Sequence, residues 1–120
     1  MNVAVDTVGT QANLFVWTAA GSDSGQPACN MDPVTTNWRV ICYCNGDDAV
    51  SSTLTTGTKY KIELDYTDST NDVAIYVDDV LADTCLGSTG GGDFDGFRFG
   101  VTNSFILNRD NMTIASGACS

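Results

Sequence analysis

Histidine is absent from this 120-residue chain and basic residues are scarce: five Lys and Arg stand against fifteen acidic residues, a formal charge of −10. Without histidine there is no imidazole to serve as a general base near neutral pH. Ser-His and Cys-His nucleophile pairs and an imidazole ligand for zinc are excluded with it. Five scattered basic side chains cannot form the clustered positive footprint that nucleic acid or an anionic membrane surface requires. Glutamate is nearly missing as well, since Glu63 is the only one beside fourteen aspartates. Glutamate favours helix, whereas Asp, Gly, Asn, Ser and Thr favour turns and caps, so the composition disfavours helix before any pattern is read. No segment approaches the roughly 20 apolar residues of a membrane-spanning helix. Nor does a basic start with an apolar run follow Met1 as a secretion leader would, so an exported protein would be read here in its mature form or with its leader outside this sequence.

What is present suits a single domain over residues 1–120, with no linker or internal repeat. Hydrophobic residues make up 42% of the chain, enough for one core, while charged residues reach only 17%. The polar surface therefore falls to hydroxyls and amides, with 15 Thr and 9 Ser, a composition common on exported β-proteins.

Five cysteines (Cys29, Cys42, Cys44, Cys85 and Cys119) point to an oxidising, extracellular compartment. Leaving one out allows fifteen two-bridge schemes. Cys42 and Cys44 lie two apart on an expected strand and face the same way, so a bridge between them is strained. Twelve schemes remain open. Zinc clusters show two spaced Cys pairs or Cys with His, and one C-x-C without histidine is neither. The fifth cysteine either lies in the core or bridges to another chain.

Period-two alternation recurs along the chain, and no helical period survives more than a turn. The clearest stretch is Lys59 to Tyr66, with Tyr60, Ile62, Leu64 and Tyr66 on one face and charges on the other: a half-buried antiparallel strand. After turn residues at 68–72, Val73, Ile75 and Val77 form the inner face of a returning strand, and Asp78-Asp79 turns the chain into Val80-Leu81-Ala82. Further strands are expected over Val3 to Val8, Leu14 to Ala19, Trp38 to Tyr43, Phe94 to Val101, Ser104 to Leu107 and Met112 to Ala115. Between them lie Gly-, Asp- and Ser-rich turns, among them 45–48 and 87–93. Asp32-Pro33 is the one place where a helical turn could start. Short strands at this spacing imply an all-β antiparallel sandwich.

The strand pair from Thr58 to Tyr66 and from Val73 to Ala82 resembles that of concanavalin A-like, laminin-G-like jelly rolls, which reads Y-x-I/L-x-L-x-Y followed by V-x-V-Y-V-D/N-G. Phe97-Arg98-Phe99-Gly100 and Asn108 to Ile114 look like the closing strands of that superfamily. The resemblance spans about residues 50–116 and implies a jelly-roll sandwich; it says little about activity. Members usually need more than 120 residues to complete both sheets, which implies a strand supplied by a neighbouring subunit. The glucanase branch of the superfamily carries paired carboxylates on one strand, and Glu63, Asp65 and Asp68 are close to that pattern. In a regular strand, however, Asp68 falls on the opposite face from Glu63 and Asp65. The face they share also carries Lys59 and Lys61, the mark of a solvated outer surface. Jelly rolls of this kind often hold calcium in aspartate-rich loops. Asp93 and Asp95 are the candidate ligands, with further oxygens at Asn45 to Asp48, although calcium needs six to eight.

Carbohydrate recognition requires exposed rings beside carboxylates and amides. Trp17 and Trp38 both lie within apolar strands and are expected in the core, which leaves Tyr43 and Tyr76 as possible exposed rings. Asn111-Met112-Thr113 is the only N-x-S/T glycosylation acceptor. The functional expectation is a non-enzymatic extracellular structural module that assembles with copies of itself into a fibre, filament or layer. In that reading the apolar alternation of Val3, Val5 and Val8 adds as a strand to a neighbour's open edge. The alternatives are a glycan-binding, lectin-like module and, further off, a glycoside hydrolase.

Overall fold

The computed structural model describes residues 1–18, 28–44, 47–67, 72–87, 96–99 and 106–110. Ten strands run through them: β1 (Asn2–Thr7), β2 (Ala12–Thr18), β3 (Ala28–Val34), β4 (Asn37–Cys44), β5 (Asp47–Val50), β6 (Lys59–Thr67), β7 (Asp72–Val77), β8 (Val80–Cys85), β9 (Gly96–Phe99) and β10 (Ile106–Asp110). They form two antiparallel five-stranded sheets, in the orders β10-β1-β6-β7-β8 and β5-β4-β3-β2-β9. No helix occurs among the described residues, and so none among them is long and apolar enough to cross a membrane.

Alternation decides which face each strand buries. Trp38, Val40, Cys42 and Cys44 of β4 are buried, while Arg39 and Tyr43 between them are not. Ile62 of β6 and Val73 and Ile75 of β7 answer them from the other sheet, with Tyr60, Leu64 and Tyr66 packed at the margin of the same core. The inward face of Lys59 to Tyr66 is therefore the one that the alternation predicts. Trp38 is fully buried, its ring edge-on to Tyr60 with centroids 6.2 Å apart. The side chain of Trp17 lies outside the described residues. On β2, Leu14 and Phe15 are consecutive and both buried, because the register against β3 slips between Asn13 and Phe15. A bulge of this kind puts two residues opposite one and re-aims the second.

Three expectations are corrected. Asp32 and Pro33 start no helical turn; they lie in β3, with Pro33 opposite Trp38. β2 begins with Ala12 opposite Met31, so Pro33 lies beyond its end, where a missing N–H forfeits no bond on that side. Asp47 and Asp48 belong to β5 rather than to a turn. Finally, β1 is no free end: it is hydrogen-bonded to β10 on one side and β6 on the other, and Val3 and Val5 are fully buried. Val8 packs against the same core. These three residues serve the core of their own chain, and an interior strand has no unpaired edge to lend to a neighbour.

Two hairpin tips carry backbone stress. Thr35 between β3 and β4 has φ 57°, and Asp78 and Asp79 between β7 and β8 have φ 50° and 66°. The paired positive values at Asp78 and Asp79 are those of a two-residue type I′ turn, whose usual occupants are Asn and Gly. Asp78 is compensated locally, because its N–H donates to the Lys61 carbonyl and its carboxylate accepts from the Lys61 N–H, both at 2.8 Å.

Candidate functional site on the outer face of β2 to β5

The outward residues of the β5-β4-β3-β2-β9 sheet bring together an amide, a carboxylate, a guanidinium and a phenol. Asp32 of β3 pairs in register with Arg39 of β4, and the Arg39 Nε donates to its Oδ2 at 2.6 Å. Gln11, just before β2, donates from Nε2 to Asp32 Oδ1 at 3.0 Å and to the Tyr43 hydroxyl at 2.8 Å. Tyr43 itself lies opposite Ala28, four residues along β3 from Asp32, or roughly 13 Å at strand rise. To meet, the Tyr43 ring and the Gln11 side chain must run along the sheet over the row of Asn30 and Ile41. In that row Ile41, on the outward side of β4, is only 7% exposed, and the Asn30 Oδ1 is buried without a hydrogen-bond partner.

Each group is fixed by another. The Asp32 side chain is 16% exposed and holds both Gln11 and Arg39, whereas the Arg39 side chain is 39% exposed. The array therefore presents oriented donors and acceptors beside an aromatic ring on a sheet face. Nothing local in the sequence singles out Gln11, Asp32 and Arg39, since Asp32-Pro33 reads as a helical start. The signal lay in the hairpin: Asp32 and Arg39 are equidistant from Thr35 and Thr36, which makes them cross-strand neighbours once β3 and β4 are recognised.

The other sheet carries the carboxylates singled out for hydrolysis. Glu63 and Asp65 lie on the same side of β6, with Tyr76 of β7 opposite Glu63. Desolvation and the neighbouring Asp65 carboxylate raise the Glu63 carboxyl above its ordinary range, against the opposing effect of Lys61. Lys61 pairs with Asp79 at 2.5 Å and Lys59 with Asp110 at 2.6 Å. Asp68 lies outside the described residues. Tyr76 is half-buried on this sheet and Tyr43 on the other, so the two rings share no groove.

Four cysteines are paired. Cys29–Cys42 links adjacent strands β3 and β4, and Cys44–Cys85 links β4 to β8 across the sandwich. This is one of the twelve schemes left open by the sequence, and two disulfides suit an oxidising, extracellular-type environment. Cys119, the glycosylation acceptor Asn111 and the calcium candidates Asp93 and Asp95 lie outside the described residues. Among the described residues no group of three His, Cys, Asp or Glu is placed to hold a metal ion.

At the side of the sandwich formed by β5 and β8, carboxylates hold backbone amides. Asp83 of β8 accepts from Val50 N of β5 and from Thr84 N, each at 2.9 Å. Asp47 of β5 accepts from Leu86 N and Asp72 of β7 from Gly87 N, each at 2.8 Å. From the sequence Asp47 and Asp72 read as turn residues, Asp47 also as a possible calcium oxygen, and nothing there marks Asp83 as a cap for a backbone amide. No protein-family model matches the chain, and neither a curated protein nor a solved structure matches it.

Proposed function

We propose that this protein is a non-enzymatic, secreted recognition module of the jelly-roll sandwich kind, resembling concanavalin A-like domains, and that its ligand is a carbohydrate. The observation that carries the reading is the Gln11–Asp32–Arg39–Tyr43 array. Sugar hydroxyls need donors and acceptors held at fixed positions, and the C–H face of a sugar ring needs an aromatic partner. Here the amide, the carboxylate and the phenol are already oriented by one another. The reading does not draw on donation of β1, which in this structure lies between β10 and β6. The absence of histidine and the lysine-flanked, half-buried setting of Glu63 and Asp65 on β6 support a module without catalysis.

The test is a glycan array followed by titration calorimetry on hits, with wild type, Tyr43→Ala and Arg39→Ala, each with and without calcium. Binding by wild type and at least tenfold weaker binding by both variants supports the reading. Wild type that binds no glycan in either condition sinks it. If binding needs calcium, loss of that dependence in Asp93→Asn/Asp95→Asn would assign these two residues as ligands.

A further inference from the structure

Residues 51–58, in the connection from β5 to β6, hold six hydroxyl side chains in eight positions and no charged one. Two of the six serve the fold. Ser51 is 5% exposed, and its Oγ accepts from Val40 N at 2.9 Å and donates to the Ser52 carbonyl at 2.8 Å. Thr56 is tied to the tip between β3 and β4. Its Oγ1 donates to the Thr36 carbonyl at 2.6 Å and its N–H to Asn37 Oδ1 at 3.2 Å. The others, Ser52, Thr53, Thr55 and Thr58, are exposed, and their hydroxyls enter none of the hydrogen bonds among the described residues. The backbone sets this division. Leu54 is 2% exposed and pairs with Trp38, its N–H donating to the Trp38 carbonyl at 2.6 Å. Successive side chains of extended backbone point to opposite sides, so with Leu54 inward Thr53 and Thr55 project outward. The Thr55 N–H donates to the Tyr60 hydroxyl at 2.8 Å and the Gly57 N–H to the Val5 carbonyl at 2.7 Å. The segment is thus anchored from beneath and offers its hydroxyls to solvent.

From this arrangement we propose that residues 51–58 are an O-glycosylation site, whose acceptors are Ser52, Thr53, Thr55 and Thr58 and from which Ser51 and Thr56 are excluded. Stretches rich in Ser and Thr are the usual carriers of O-linked sugar, and transfer requires a hydroxyl oxygen that an enzyme can reach. That oxygen attacks the anomeric carbon of a nucleotide-activated sugar. A C–O bond to the protein forms as the bond from that carbon to the diphosphate breaks. The hydroxyl proton passes to a base of the transferase and the nucleoside diphosphate leaves, with no oxidation or reduction. Ser51 is out of reach, and Thr56 would forfeit the proton that it donates to Thr36. Sugar fits this site better than phosphate, because two disulfides suit an oxidising, extracellular-type environment. A neutral sugar also adds no charge to a chain already at −10. The site concerns the protein as an acceptor of sugar and is independent of the carbohydrate-binding reading, which rests on Gln11, Asp32, Arg39 and Tyr43.

Site-localised mass spectrometry of the full chain isolated from its native source, after enzymatic removal of N-linked sugar, tests the proposal. Sugar is expected on the 51–58 segment, released by alkaline β-elimination and localised by electron-transfer fragmentation to Ser52, Thr53, Thr55 and Thr58. Ser51 and Thr56 are expected to stay unmodified. A segment that carries no sugar overturns the proposal, and so does phosphate in its place. Sugar found on Ser51 or Thr56 as often as on the exposed residues overturns the selection by exposure and hydrogen bonding. None of these outcomes touches the carbohydrate-binding reading, which the glycan array decides separately.

Discussion

Cys44 and Cys85 tie β4 of one sheet to β8 of the other across 41 residues of sequence, with their Cα atoms 5.9 Å apart. Cys29 and Cys42 join neighbouring strands of one sheet across 13 residues. Loop-closure entropy grows with the loop closed, so the two bridges constrain the unfolded chain unequally. It assigns about 4 kcal/mol to the first and about 3 kcal/mol to the second. Replacing each pair by alanine and measuring unfolding in urea is expected to show the Cys44/Cys85 variant as the less stable. An inverted order would mean that local packing outweighs chain entropy.

Thr35→Gly is expected to raise stability by about 1 kcal/mol. A β-branched residue at φ 57° is held in a region that glycine enters without steric cost. The loss of unfolded-state restriction offsets part of that gain. Thermal unfolding of the single variant checks it, and a fall in the midpoint would refute the assignment of strain to this tip.

Glu63→Gln is expected to stabilise the protein at pH about 7 by up to about 0.5 kcal/mol, the scale of exposed charge interactions. Desolvation and Asp65 raise the Glu63 carboxyl, so the folded chain holds that proton more tightly than the unfolded one. Its contribution favours folding below the unfolded carboxylate range and is lost as pH rises through the folded value. The gap between variant and wild type should therefore close in acid. Asp110 has the opposite sign, because its hydrogen bonds from Lys59 and Asn2 lower it. Its contribution is present above the unfolded carboxylate value and disappears as pH falls through the folded one. Asp110→Asn should thus weaken the protein at neutral pH and converge with wild type in strong acid, measurable as unfolding midpoints against pH.

Trp38→Ala is expected to cost about 3–5 kcal/mol, since it empties the largest buried site of the core. Trp38→Phe should cost much less than its lost volume implies. The Trp38 Nε1 is buried without a partner, and removing an unsatisfied donor recovers about 1–3 kcal/mol. A Trp38→Phe variant that loses as much as its missing volume implies would refute the recovery expected from the unpartnered indole N–H.

Alternation and ordinary turn residues make β1, β2, β4, β6, β7, β8 and β9 legible in the sequence, and β10 in its first two residues. β3 was missed because Asp32 and Pro33 carry a helix-start signal, and only the early end of β2 makes a proline harmless there. β5 was missed because Asp47 and Asp48 are turn formers by local preference; they are strand residues through pairing with Cys44 and Tyr43. The polar array was invisible for the same reason, since Gln11, Asp32 and Tyr43 meet only once β2, β3 and β4 lie side by side.

Composition and period two determined that the chain is all-β, which residues face inward on β4 and β6, and that its cysteines belong in an oxidising environment, because those properties act within a few residues. Which cysteines pair, that Val3 and Val5 lie in an interior strand, and that aspartates cap edge amides were decided only by the tertiary structure. These depend on contacts between residues far apart in sequence: Asp83 reaches Val50 across 33 positions and Leu86 reaches Asp47 across 39. Local preference carries no information about which strands become neighbours; burial of a shared core selects that order, and the hydrogen bonds at its edges follow from it.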